Sequence, residues 1–137
     1  MEDLKLKEND ELNKLMEEFN KDVELNFNNI REKSFLVSTI RAKWLSRYFK
    51  EKENLERIKR AKAKILSDKM KTSKDNSVLR LKSEDKLAEN DETIQRLNNM
   101  AKTTQSNIEY IERCFSILDN FGFQIKNIIE IMKLQAV

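Results

Sequence analysis

Apolar residues near the end of the chain recur every three or four positions, which is the spacing of one face of an α-helix. From Ile108 onward, successive members are 3, 4, 3, 4, 3, 4 and 3 residues apart, a heptad-like seam. A second apolar line runs beside the first, and together they make a face too wide for a two-stranded coiled coil. We therefore predict a helix over residues 91–135 that contacts neighbours on both sides. The two lines are Ile108, Ile111, Phe115, Leu118, Gly122, Ile125, Ile129 and Met132, and Cys114, Ile117, Phe121, Ile128 and Ile131.

The wide apolar face of this helix is expected to pack first on the apolar face of residues 41–66, in an antiparallel hairpin, and the rest of the face has two candidate partners. A chain of 137 residues buries only a modest core, so self-association is a natural way to cover the apolar surface that the chain cannot bury by itself. The alternative is an intramolecular three-helix bundle in which residues 8–24 supply the third helix. We predict assembly into a homo-oligomer through Ile111, Phe115, Leu118, Phe121, Gly122, Ile125, Ile128, Ile129 and Met132.

Gly122 is the only glycine in the chain and occupies a seam position. A glycine there permits a bend, a close approach of two backbones or a C-terminal cap. The heptad pattern continues in phase beyond Gly122, so we favour one helix that bends at this residue.

A second amphipathic segment is predicted over residues 28–72. It follows an acidic N-terminal segment, 1–27, and precedes a polar connection, 73–90. The chain has no proline and one glycine, which argues against β-turns and hairpins. The prediction is a single all-α domain over 1–137, a long antiparallel helical hairpin with a short N-terminal helix. The apolar face of the second segment is Trp44, Tyr48, Leu55, Ile58, Ile65 and Leu66.

Positive charge is concentrated in one quarter of the chain. Residues 1–40 carry 6 basic and 10 acidic side chains, residues 41–74 carry 13 and 4, and residues 75–137 carry 8 and 10. The three net charges are therefore −4, +9 and −2, which sum to the +3 of the whole chain. Basic residues of the central block follow the helical period and form a stripe with flanking members. They are Lys43, Arg47, Lys50, Arg57, Lys59, Arg60, Lys62, Lys64, Lys69 and Lys71.

A basic stripe of this kind neutralises backbone phosphates and releases their counterions, so it favours nucleic acid as a partner. Ala61 and Ala63 keep side-chain bulk low, which lets an extended strand lie close to the helix. The other interpretations are a solvated helix face, an anionic membrane surface and an acidic protein partner. No base-reading module is recognisable, so binding is expected to be largely independent of base sequence. Trp44, Tyr48 and Phe49 are candidates for base stacking, but burial fits the core-facing position of Trp44 better.

The missing residue types exclude several kinds of chemistry. Without histidine there is no Ser-His or Cys-His pair and no two-histidine metal motif. A single cysteine excludes an internal disulfide and a multi-cysteine zinc site, and one glycine excludes a P-loop. The amino terminus lacks the apolar core of a signal peptide, and no window is long enough to span a membrane. We predict a soluble, cytoplasmic protein that is not an enzyme and needs no cofactor or metal.

Four short motifs lie in order along the chain: KDV at Lys21–Val23, KWL at Lys43–Leu45, KSE at Lys82–Glu84 and GFQIKNI at Gly122–Ile128. In order and spacing they resemble the UvsY-type recombination mediators of T-even-like bacteriophages. Chain length matches as well, and the resemblance extends over most of residues 21–132.

This resemblance implies a ring-like homo-oligomer, a hexamer or heptamer, that binds single-stranded DNA in the cytoplasm of the infected host. It also implies two protein partners, the phage single-strand-binding protein and a RecA-like recombinase that the mediator loads onto the strand during homologous recombination and repair. The terminal helix is associated with assembly in this family. The runner-up hypothesis is a non-enzymatic helical scaffold or chaperone that binds an acidic protein partner.

One position departs from the family pattern. Counted without gaps from the KWL motif, the family's DNA-binding Lys-x-Arg pair falls on Ser67 and Lys69, and only the second is basic. We therefore expect the denser upstream cluster to carry most of the DNA binding, with Lys69 and Lys71 contributing. That cluster is Lys59, Arg60, Lys62 and Lys64.

Overall fold

A computed structural model describes the backbone of residues 2–72 and 92–136, and the side chains of 10–70 and 92–136. The predicted connection, 73–90, lies outside these described residues. The described chain contains three helices: α1 spans Glu2–Asp22, α2 spans Ile30–Thr72 and α3 spans Glu92–Gln135. No strand occurs in the described ranges, and the all-α fold class is confirmed.

The turn between α1 and α2 is held by asparagine side chains. The Oδ1 atom of Asn26 accepts hydrogen bonds from the backbone N–H groups of Asn28 and Asn29, both at 2.9 Å. In return, the Oδ1 atom of Asn29 accepts the N–H of Asn26 at 2.8 Å. Such reciprocal bonds satisfy the N–H groups that a helix start leaves without a partner, so they fix the point where α2 begins.

Lys33, in the first turn of α2, caps the end of α1. Its Nζ atom donates to the backbone carbonyls of Lys21 at 3.1 Å and Asp22 at 2.9 Å. These are among the last carbonyls of α1, which have no partner inside that helix and carry the negative end of its dipole. One ammonium group therefore ties the end of α1 to the start of α2.

The chain divides into two compact units, and both long helices contribute to each. The first unit comprises residues 1–50 and 107–137, and its core joins all three helices. Phe19 of α1 packs edge-on against Trp44 of α2, with ring centroids 5.2 Å apart. Trp44 is completely buried, as its position on the predicted apolar face indicated. The buried core is Phe19, Ile40, Trp44, Ile111, Cys114, Leu118, Phe121 and Ile125.

The second unit comprises residues 51–106 and is built from the remaining parts of α2 and α3. Ile58 and Ile94 are its buried apolar side chains among the described residues. Thr104 is also buried, and its hydroxyl oxygen accepts a hydrogen bond of 3.4 Å from the side-chain amide of Asn54. Leu55, Ile65 and Leu66 are partly buried, as expected for the apolar face of α2.

Gly122 lies inside a continuous helix, so it is not a C-terminal cap. Its backbone does not have the positive φ that favours glycine. A Cβ atom built on it would meet the Cγ1 atom of Val37 at 3.8 Å, which is ordinary van der Waals contact. Neither its conformation nor the space around it therefore requires a glycine.

We expect Gly122→Ala to raise the free energy of unfolding by about 0.5–1 kcal/mol, because alanine loses less backbone entropy in a helix interior and fits the available space. Urea unfolding followed by circular dichroism measures this. Ser116→Ala, at an exposed position of the same helix, shows the gain from helix propensity alone. A loss of stability in Gly122→Ala would mean that a close contact at this position depends on the missing side chain.

Candidate nucleic-acid interface

All ten basic residues predicted to bind single-stranded DNA lie on α2. Lys43, Arg47 and Lys50 belong to the first unit, and the others belong to the second. Lys69 is partly buried, and the side chain of Lys71 is outside the described set. Their environments divide these residues into cations whose ion pairs support the fold and cations that remain accessible to a ligand.

Lys43 and Arg47 are held by two carboxylates of α1. The Nζ atom of Lys43 lies 2.8 Å from Oδ2 of Asp22 and 3.0 Å from Oε1 of Glu18. Arg47 donates through both terminal nitrogens to the two carboxylate oxygens of Glu18, one of them at 2.7 Å. A bidentate pair of this kind is among the stronger and more directional ionic contacts in proteins.

Trp44 lies at the centre of these ion pairs. Its indole Nε1–H donates to Oδ2 of Asp22 at 2.9 Å, so the buried ring has its one polar group satisfied. The guanidinium of Arg47 lies 5.0 Å from the ring centroid, and the ammonium of Lys43 lies 5.7 Å from it. We call these five residues, Glu18, Asp22, Lys43, Trp44 and Arg47, the α1 clamp.

The ion pairs of the α1 clamp shift the pKa values of two of its members, Glu18 and Lys43. The hydrogen bonds from Arg47, with a smaller contribution from Lys43, hold the pKa of Glu18 below its usual value against the opposing effect of burial. Partial burial lowers the pKa of Lys43, but its bonds to Asp22 and Glu18 outweigh burial and the net shift is upward. Both shifts favour the ionised pair, so Lys43 and Arg47 serve mainly to dock α1.

The middle of α2 presents a different arrangement. Arg57 pairs with Glu53 one turn earlier at 2.8 Å, and Lys59 lies 3.9 Å from Glu56. Both pairs are exposed, and exposed pairs along one helix contribute only about 0.3–0.5 kcal/mol. Their cations can therefore exchange a carboxylate for a phosphate at low cost.

Arg60, Lys62 and Lys64 form no ion pair with any residue in the described parts of the chain, and we call them the basic cluster. Arg60 and Lys64 are exposed and Lys62 is partly buried. Ala61 and Ala63 between them are exposed and small, as the predicted approach of an extended strand requires. Three cations within five residues make this the most available positive charge among the described residues of α2.

The three aromatic candidates for base stacking differ in how far they are exposed to solvent. Trp44 is buried, and the ring of Tyr48 is partly buried, with its hydroxyl donating to Oε1 of Glu112 at 3.0 Å. Phe49 is exposed, and its ring meets that of Tyr48 at a centroid distance of 5.6 Å. Phosphate contacts are therefore better supported than base contacts along this helix.

The residues predicted to drive assembly lie mostly inside the first unit. Ile111, Leu118, Phe121 and Ile125 are buried in its core, and Phe115 and Ile129 pack against that core. The heptad seam of α3 thus packs against α1 and α2 of the same chain, as in the intramolecular alternative. Gly122, Ile128 and Met132 are partly exposed. Assembly through α3 stays a prediction, which now rests on the side chains that α3 leaves exposed, including Phe123, Ile131 and Leu134.

An apolar cleft opens at the turn between α1 and α2. Leu25, Phe27 and Ile30 line it together with Asn26 and, from α3, Ile128. Phe27 projects into solvent beside this cleft. The signal for this feature in the sequence was the apolar residues that alternate with asparagines in the turn.

The described residues contain neither a cluster of metal ligands nor a membrane-spanning helix. No group of three or more acidic or cysteine side chains there is arranged to hold a metal ion. None of the three helices, over its described residues, has an apolar stretch long enough to cross a membrane.

Comparison with known proteins gives one match. A protein-family model described as recombination, repair and ssDNA binding protein UvsY matches residues 18–137. Neither the curated proteins nor the solved structures gave a match. The matched range begins within α1, at the first carboxylate of the α1 clamp, and includes the whole of α2 and α3.

We expect the α1 clamp to make stability depend on acid pH. The pKa of Glu18 is lowered in the folded state, so its contribution is present above the unfolded pKa of about 4.3 and is lost as the pH falls through the folded value. Glu18→Gln should flatten the fall in urea midpoint between about pH 5 and pH 3. Glu17→Gln, at the neighbouring exposed position, should leave the pH profile unchanged. Equal profiles for all three proteins would show that the clamp adds nothing to stability.

We expect the apolar face of α3 to behave as core at Ile125 and as surface at Ile117. Ile125 is 3% exposed and Ile117 is 48% exposed. Ile125→Asp should cost about 3 kcal/mol or more, because it buries an unpaired charge, whereas Ile117→Asp should cost less than about 0.5 kcal/mol. Denaturant unfolding of the two variants measures the difference. Equal losses would contradict the packing of the seam inside the chain.

Proposed function

Because the chain belongs to the UvsY family of recombination, repair and ssDNA-binding proteins, we propose that it is a recombination mediator. In this role it binds single-stranded DNA and helps to load a RecA-like phage recombinase onto strands covered by single-strand-binding protein. The task is assembly on DNA rather than bond-breaking chemistry, and we propose that the protein is not an enzyme.

The observation that most supports this function is the basic cluster. Arg60, Lys62 and Lys64 carry three positive charges on a helix whose other cations are partly neutralised by Glu18, Asp22, Glu53 and Glu56. Backbone phosphates are suitable ligands for such cations, and phosphate binding releases counterions and depends on salt. Since phosphates are common to all strands, binding of this kind does not select a base sequence.

We propose that α2 lies along the strand with the basic cluster at the centre of the contact. Lys50, Arg57 and Lys59 are exposed and add contacts, whereas Lys43 and Arg47 remain committed to the α1 clamp. Lys69, which occupies the second position of the family's Lys-x-Arg pair, and Lys71 follow in the last turns of α2 and extend the positive charge.

Assembly strengthens weak contacts of this kind. Several copies of the basic cluster on one ring-like homo-oligomer act together through effective concentration, so the strand is held without any single tight site. We propose that the exposed apolar residues near the end of α3, Ile131 and Leu134, join Ile128 and Met132 in this assembly. The other proposed partners are the phage recombinase and the single-strand-binding protein, encountered in the cytoplasm of the infected host.

A scaffold or chaperone for an acidic protein is the second candidate. The observation that favours it is the α1 clamp, in which α2 already accepts two carboxylates of an acidic helix. An acidic partner segment bound to the basic cluster would repeat that arrangement. Such a protein would assemble normally and show no affinity for nucleic acid at moderate salt.

We expect the triple variant Arg60→Gln, Lys62→Gln, Lys64→Gln to bind an unstructured oligonucleotide at least tenfold more weakly at low salt. The slope of log K against log salt should become shallower by about 2, since each contact with a single strand contributes about 0.7. Fluorescence anisotropy at a series of salt concentrations measures both quantities.

The matched control for this experiment is Lys14→Gln, Arg113→Gln, Lys126→Gln, which removes the same net charge from exposed positions outside α2. It should retain the affinity and slope of the parent protein. An equal loss in both triple variants would assign binding to net charge rather than to the basic cluster. Binding absent from the parent at moderate salt, with its assembled mass intact, would favour the scaffold.

A further inference from the structure

The outward side of α2 in the first unit carries an apolar stripe that the core does not use. Phe35, Leu45 and Phe49 are 85%, 44% and 60% exposed. Ser38 and Ala42, which are also exposed, lie between them. The side chains that α2 buries in this unit, Ile40 and Trp44 among them, point to the other side of the helix.

The spacing of this stripe is that of a helix-packing seam. From Arg31, the positions Phe35, Ser38, Ala42, Leu45 and Phe49 follow at intervals of 4, 3, 4, 3 and 4 residues. A 3,4 alternation over more than two heptads keeps one line of side chains facing a partner helix. Large side chains lie at the ends of the stripe and two small ones at its centre, so a second helix can approach the centre closely.

The stripe is complementary to itself in the antiparallel direction. An antiparallel pair with its two-fold axis between Ser38 and Ala42 sets Ser38 against Ala42 of the other copy. The next layer outward sets Phe35 against Leu45, and the last sets Arg31 against Phe49, where the guanidinium can lie over the ring. Each of the six positions then has a partner of suitable size or charge, and every contact occurs twice.

We propose that a second copy of this chain docks antiparallel on the outward stripe of α2, formed by Arg31, Phe35, Ser38, Ala42, Leu45 and Phe49. This contact is two-fold and closed, in contrast to the head-to-tail contacts that build a ring. It therefore pairs chains, or pairs whole rings, and it does not depend on the function proposed above.

The apolar area that the stripe can bury is close to the area of a specific protein–protein interface. A fully buried aromatic side chain removes about 150–250 Å² from solvent, so two copies of Phe35 and Phe49 at their present exposure contribute on the order of 600 Å². Leu45 and the spacer residues bring the total toward the roughly 1,000 Å² that a specific interface needs. Thr39 and Ser46, which flank the stripe on one side, are exposed and uncharged. On the other side Arg41 is exposed, but its charge is paired with Asp119.

The bases of single-stranded DNA could also stack on the exposed phenylalanines of the stripe. Base stacking needs aromatic rings, and it does not call for Leu45 or for two small residues at regular helical spacing. The regular spacing and the small centre of the stripe both favour a helix as occupant. DNA binding is therefore an outcome of the test rather than part of the proposal.

The first test is the mass of Leu45→Glu by size-exclusion chromatography with light scattering over a range of concentrations. The mass should fall to half that of the parent, because a two-fold contact is lost, while circular dichroism shows that the helices remain formed. Ile117→Glu is the matched control, since it places the same charge at a similarly exposed apolar position, 48% against 44%, on α3. It should retain the parent mass.

Three results would overturn the proposal. The first is an unchanged mass in Leu45→Glu, and the second is a fall from a larger oligomer directly to monomer, which would make the stripe a ring contact. The third is loss of oligonucleotide affinity in Leu45→Glu and Phe49→Ala at unchanged mass, which would make the stripe a DNA contact. Failure of DNA binding by the parent protein would leave the expected halving of mass intact, so the two proposals are tested separately.

Cysteine cross-linking tests the antiparallel direction. Ser38→Cys mixed with Ala42→Cys should form a disulfide-linked dimer on mild oxidation, because these positions face each other only in that orientation. Each variant alone should remain largely uncross-linked. Dimers from Ser38→Cys alone would indicate a parallel pair and contradict the proposal. The native Cys114 should not interfere, because it is fully buried and burial raises its pKa to about 11.

Discussion

The docking of α1 in the first unit centres on one partly buried hydrogen bond, from the indole of Trp44 to the carboxylate of Asp22. A fully buried indole N–H without an acceptor would cost about 1–3 kcal/mol, so the position of Asp22 is tightly constrained. Asp22 is the last residue of α1, and the same carboxylate also receives Lys43. Phe19, one turn earlier, packs on the tryptophan ring. The end of α1 is thus fixed by polar and apolar contacts that share one partner.

Because α1 is docked beside Trp44, the basic residues of α2 fall into two groups. Near Trp44 they neutralise the carboxylates of α1, and their charge stabilises the fold. About four to six turns further along, the basic cluster has no such carboxylates among the described residues, and its charge remains available to a ligand. A single helix therefore uses basic side chains for folding at one end and, in the proposed function, for recognition in its middle. Net charge per segment does not reveal this division, because it counts both groups alike.

Much of the fold was predictable from the sequence, since the all-α class, the burial of Trp44 and the family follow from periodicity, composition and motifs. The commitment of Lys43 and Arg47 was not, because their partners lie 21 to 29 residues earlier and approach only after the asparagine turn reverses the chain. The seam of α3 was recognised, but periodicity alone does not say whether the partner helix belongs to the same chain. The outward stripe of α2 had a visible 3,4 spacing, which was obscured by the stronger apolar face of the same helix.

The short turn between α1 and α2 makes it harder for a free anion to displace the carboxylates of α1 from Lys43 and Arg47. It tethers the carboxylates of Glu18 and Asp22 to the helix that they bind, and Lys33 restricts the tether further. A tethered group of this kind acts at an effective concentration in the millimolar range or above. An acidic segment from another molecule would have to exceed that concentration to displace α1 from Lys43 and Arg47. The chain thus shields these two cations from free anions by occupying them itself, and leaves the basic cluster, which pairs with no carboxylate of the described residues, as the more available positive charge.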